Sequence, residues 1–168
     1  MTARDALVAV AAMLAPDRPE VAERAAAAHD DPHAFVRRHA RRLADRGITE
    51  PIRILPWIAL VNALADHHLL AEVDWRENPD EIVRMLRGLE TTPGDGWDWV
   101  TEADSYLRTE QFLKVSGDHL REGRVTLASL DIDSDCYPLV VLPTARTTEL
   151  LGLAKLAGYR VSILATKP

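Results

Sequence analysis

Three aspartates stand on alternate positions, Asp131, Asp133 and Asp135, within SLDIDSDCYPLVVLP (residues 129–143). On an extended chain that spacing projects carboxylates to one side, and a hard divalent cation requires several such oxygens at once. Asp131 and Asp133 are therefore candidate metal ligands, and with a cation they would serve an enzyme acting on a phosphorylated or sugar substrate. The same residues have a second reading, which we favour. Asp133, Ser134 and Asp135 are turn formers that bond their own backbone between two strands, with Asp131 at the strand end. All three aspartates would then form an acidic surface open to a partner protein.

Motifs with this spacing make further demands. A calcium loop starting at Asp131 needs glycine at its sixth position and glutamate at its twelfth, where this chain has Cys136 and Leu142. SLDIDSD resembles the first motif of haloacid-dehalogenase-type phosphatases, which would make Asp131 the nucleophile and Asp133 the acid. That family also requires a lysine and further aspartates downstream, and only Lys155 and Lys167 follow, with no acid after Glu149. No glycine-rich phosphate loop accompanies the aspartates, and no cofactor is expected.

Other residues carry chemistry by type. Cys136 is the single cysteine, but carboxylates nearby raise a thiol pKa, which disfavours a nucleophile. Ser116, Asp118 and His119 match a hydrolytic triad in kind, yet on one helix Asp118 points away from the other two, so they read as helix surface. His67 and His68 end a helix, where a cationic ring suits the dipole. Arg37, Arg38, Arg41, Arg42 and Arg46 form a basic helix face, with Arg38 and Arg42 as candidate partner contacts. Within residues 1–50 eight arginines are balanced by eight acids, and no interleaved aromatics support base stacking, so nucleic acid is a weak alternative. Trp97 and Trp99 flank a Pro-Gly-Asp-Gly loop and should pack over a sheet edge.

The elements that must position these residues are well punctuated. The chain of 168 residues with 47% hydrophobic content supports one domain with its own core. A net charge of −6 argues against coating nucleic acid or anionic membrane. ALVAVAAML (residues 6–14) has the length of a signal-peptide core, but Asp5 occupies the flank, and Leu7, Val10, Ala11 and Leu14 make an amphipathic helix instead. No apolar run is long enough for a membrane span, and the single cysteine points to a cytoplasmic protein. Asp17 and Glu20 read as a capping box, Asp31-Pro32 opens a helix through Phe35 and Leu43 to Gly47, and Pro56 begins another. Ala71, Val73 and Trp75 alternate as a strand. Asn78 caps a helix burying Ile82, Met85, Leu86 and Leu89, and a long helix runs from about Glu102 to Arg121. Then come a strand over residues 125–132, a fully apolar one at Leu139–Leu142, a helix ending at Gly158, and a last strand. This predicts an α+β fold, its helical N-terminal half packed on a small mixed sheet with a C-terminal β-β-α-β unit.

With AEVDW, FLKVSGDHL and above all LASLDIDSDCYPLVVLP, the chain resembles a bacterial family known only as a domain of unknown function. The shared pattern is Leu130-Asp131, Ser134-Asp135 and Tyr137 ahead of an apolar strand. The resemblance covers the last two thirds and implies no catalytic residue. The Ser-Asp turn before Tyr137 also resembles bacterial immunity and regulatory modules that bind a partner through an acidic surface. The expectation is a non-catalytic binding or regulatory module with a protein partner, its oligomeric state open.

Overall fold

Thr2 starts the first helix with a reciprocal cap, its hydroxyl accepting from the Asp5 amide while the Asp5 carboxylate accepts from the Thr2 amide, each at 3.0 Å. In the computed structural model, which describes residues 1–167, this helix is α1 (Ala3–Leu14). It is followed by α2 (Pro19–Asp30), α3 (Pro32–Arg38), α4 (Ala40–Ala44) and α5 (Leu55–Asp66). Next come β1 (Ala71–Val73), α6 (Pro79–Arg87) and α7 (Thr109–Glu122). The chain closes with β2 (Val125–Leu130), β3 (Tyr137–Pro143), α8 (Thr147–Ala157) and β4 (Val161–Ile163).

The strands form one sheet in the order β1-β3-β2-β4, and every neighbouring pair is antiparallel. The α+β class and the C-terminal β-β-α-β unit are as expected, but the sheet is not mixed. β3 and β4 do run in the same direction, yet β2 lies between them and pairs with both. The sheet is a shared wall between two cores. Ala128, Leu130, Val140 and Leu142 face α1, α2, α5 and α8, while Leu127, Leu139 and Val141 face α6 and α7. The unbroken apolar run of β3 is the direct consequence, since both of its faces are dry. The N-terminal helices thus cover one face only.

Three helix boundaries depart from the sequence pattern. α2 starts with Pro19 at its first position and Arg18 as an uncapped N-cap, so Asp17 and Glu20 form no box. The helix expected from Pro32 to Gly47 breaks at His39, whose ring stacks on Phe35 at 4.2 Å. The break lets Phe35, Val36 and the fully buried Leu43 reach the same core. α7 begins at Thr109 rather than near Glu102: residues 104–106 make only a single 3-10 turn, started by Asp104 accepting from the Thr101 amide and hydroxyl, and the chain then runs extended through Leu107 and Arg108.

α7 is held on its sheet face by close approach. A Cβ on Gly117 would lie 1.7 Å from the Leu164 carbonyl oxygen, so only glycine fits there. Asp118 then accepts from the Thr166 amide at 3.1 Å and from its hydroxyl, tying the strand that leaves β4 to the helix. On the other side of the molecule Arg46 grips Asn62 and both oxygens of Glu72, joining the segment after α4 to α5 and β1.

Candidate functional site at the open end of the sheet

The aspartate stretch lies where β2 turns into β3, beside the start of β4 and the first turn of α7. Asp131 is the hinge of that turn. Its Oδ1 accepts from the Asp133 amide at 2.9 Å, its Oδ2 lies 2.7 Å from the Arg160 guanidinium, and its amide donates to the Arg160 carbonyl at 3.0 Å. Asp133 adopts a left-handed φ of 55° and sits 3.4 Å from the same guanidinium. The chain therefore curls at Asp133 instead of staying extended, as an Asx turn demands. The Ser134 hydroxyl accepts from the Cys136 amide at 3.2 Å. Asp135 is exposed and has no ion-pair partner among the described residues. Among those residues no three His, Cys, Asp or Glu side chains converge as a metal set.

Two concavities meet beside this turn. The first, about 300 Å³, lies between α7 and the β2/β4 edge, with Ser129, Ser162, Cys136 and Tyr137 on the sheet side and Glu110 and Lys114 on the helix. Ser129 and Ser162 are direct cross-strand partners, so their hydroxyls share a face. The second, about 560 Å³, runs past Trp75, Arg76, Leu107 and Arg108 and shares Tyr137 and Glu110 with the first. The strand expected to continue to Trp75 stops at Val73, leaving Trp75 48% exposed with the Arg76 guanidinium 4.1 Å above its ring. Tyr106, between lining residues of the groove, is 81% exposed. Burial, reinforced by Glu72 and Asp74, pushes the Cys136 thiol up. Burial and Glu110 do the same to the Tyr137 phenol, so both stay protonated at neutral pH.

The remaining candidates are placed elsewhere and held by structural bonds. Ser116 is fully buried, not on the helix surface, and donates to the Phe112 carbonyl at 2.8 Å. Asp118 holds Thr166, and His119 stacks on Trp99 at 4.2 Å, so these residues form no triad. Trp97 and Trp99 pack on the α6–α7 core, Trp99 against Phe112 and His119 of α7, and not over a sheet edge. His67 lies 3.2 Å from Glu20, and His68 takes a left-handed φ of 56°. The arginine face is broken up: Arg46 turns inward, Arg42 pairs with Asp66 at 3.1 Å, and Arg38 lines a groove between α2 and α3. That groove belongs to the opposite helical layer from the aspartate turn. Sequence reasoning missed Ser129, Tyr106, Arg108 and Arg160, since each acquires its role from a neighbour distant in the chain.

A family described as Domain of unknown function (DUF6630) matches residues 6–165, and the chain belongs to that family. No curated protein and no solved structure matches it.

Proposed function

We propose that this protein is a non-catalytic binding module whose partner is an extended segment of another protein, laid across the open end of the sheet. The observation that carries it is the groove of Trp75, Arg76 and Arg108, with the 81% exposed Tyr106 in the segment 105–108 that supplies part of its wall. Tryptophan, tyrosine and arginine are the residues that anchor protein interfaces, and exposing them without a partner is unfavourable. Arg76 and Arg108 have no ion-pair partner among the described residues, while Glu110 is already paired with Lys114 at 3.0 Å. The groove's two unpaired cations outnumber its one unpaired acid, Glu77, and favour an acidic residue, while the exposed, unpaired Asp135 beyond Tyr137 favours a basic one further along the same segment. Arg38 and Arg42 lie in the other helical layer and form a separate contact surface under this reading.

Asp131 is committed to an ion pair, Asp118 to the Thr166 backbone and Ser116 to a backbone carbonyl, and the Cys136 thiol is held protonated, which supports binding over catalysis. The test is selection from a random peptide library against the wild type, against Trp75→Ala with Tyr106→Ala, and against Arg38→Glu with Arg42→Glu. Peptides enriched on the wild type should carry an acidic cluster, bind the arginine variant equally and lose the aromatic variant. Peptides indifferent to Trp75 and Tyr106 would defeat the assignment.

A further inference from the structure

The smaller cleft has a chemistry of its own, distinct from the groove beside it. Ser129 is 8% exposed, its side chain faces this cleft, and its hydroxyl has no hydrogen-bond partner among the described residues. With no protein partner, that hydroxyl opens on the cleft, where solvent or a ligand completes its bonding. Ser162 stands opposite on β4, and the protonated Cys136 and Tyr137 add further neutral donors. The charges at the mouth are already spent. Lys114 pairs with Glu110 at 3.0 Å, and Asp131 pairs with Arg160 at 2.7 Å. These exposed pairs leave no uncompensated charge to select an ion, whereas a neutral ligand that both donates and accepts can use the free hydroxyls.

Size narrows the class. At about 300 Å³ the cleft lies at the small end of ligand pockets, too small for a nucleotide or cofactor. The Tyr137 ring offers one apolar wall against which the C–H face of a ring can lie. We infer that the cleft between α7 and the β2/β4 edge binds a small neutral polyhydroxylated molecule, of monosaccharide size or less. The inference is independent of the peptide groove and stands if that groove has no partner.

The experiment is saturation-transfer NMR with isothermal titration of the intact chain, using D-glucose, D-galactose, D-ribose and myo-inositol as neutral probes and inorganic phosphate and acetate as charged ones. At least one neutral probe should bind saturably. Ser129→Val should weaken it by about three- to tenfold, the loss of one neutral hydrogen bond. Ser162→Ala, at an exposed position that tolerates change, should weaken it similarly, and Trp75→Ala with Tyr106→Ala should leave it intact. Binding of none of the four neutral probes, tighter binding of phosphate or acetate, or equal binding by the Ser162→Ala protein would each overturn the inference.

Discussion

Replacing Gly117 by alanine tests how α7 is seated, because the same substitution at Gly152 should act with the opposite sign. A Cβ at residue 117 would stand 1.7 Å from the Leu164 carbonyl oxygen and 2.8 Å from its carbon. Non-bonded atoms settle at about 3.5–4.0 Å, so helix and strand must part by roughly 1.5–2 Å. Leu164 cannot yield alone, since its amide donates to the Leu127 carbonyl at 2.9 Å and Thr166 is tied to Asp118. The strain falls on the fully buried Phe112 and Leu113, which α7 carries into the core. Overpacking costs about 1–3 kcal/mol, and at this depth of overlap the top of that range or beyond applies. Alanine's helix preference returns about 1 kcal/mol. A net loss of about 2 kcal/mol lowers Tm by about 4–8 °C. Gly152 sits exposed on α8 with nothing within 4 Å of its Cβ direction. There alanine should add about 0.5–1 kcal/mol and raise Tm by about 1–4 °C. Thermal and urea melts of both variants decide the matter. A Gly117→Ala protein as stable as the wild type would mean that α7 does not approach β4 this closely, and the cleft between them would have to be redrawn.

Melts of metal-stripped protein with Mg²⁺, Mn²⁺ or Ca²⁺ should show no shift, because Asp131 and Asp133 share Arg160. A specific ion at 100 times its Kd would add about 2.7 kcal/mol, and a shift that disappears in Asp131→Asn with Asp133→Asn would place a cation at the turn. A pH series addresses the first helix pair. Hydrogen bonding to Arg4 lowers the Asp30 carboxyl from 3.8 to about 2. A folded-state pKa below the unfolded one contributes stability above the unfolded value and loses it as pH falls through the folded value. The gap in urea midpoint between wild type and Arg4→Gln should therefore be level from about pH 5 upward and close between about 4 and 2. A gap that widened on acidification would contradict the pairing.

Much of the scaffold was readable because its determinants are local. The stripe of Leu7, Val10, Ala11 and Leu14 is buried as its period implies, Gly158 takes the left-handed cap at φ 89°, and Ala128, Leu130 and Ile132 share one core. Boundaries departed where the backbone leaves helical geometry with no signal in the local sequence. Leu107 and Arg108 run extended ahead of α7, and His39 leaves helical φ/ψ between α3 and α4. The site was legible only in part. The turn chemistry of Asp131 to Ser134 follows from residue type, but its partner Arg160 is brought in by β4, and nothing near residue 160 announces it. Trp75 was assigned to a strand face by alternation, and it is exposed because β1 ends two residues earlier. Period two puts Ser129 on the face of Asp131, but a serine in an apolar strand signals no site until the opposing Ser162 and the cleft are known.

The packing of α1 against α8 sets a schedule for the chain as it is made. α1 leaves the ribosome before α8, which covers it with Leu150, Ala154 and Ala157 and follows roughly 140 residues later. At translation speeds of ~5–20 residues per second, that is a wait of ~7–30 s. Throughout it, Leu7, Val10 and Leu14 have only α2 and α5 for company, and the sheet that completes their core has not been synthesised. The nascent helices α1 to α5 are thus an unfinished shell, and their core closes only when α8 arrives.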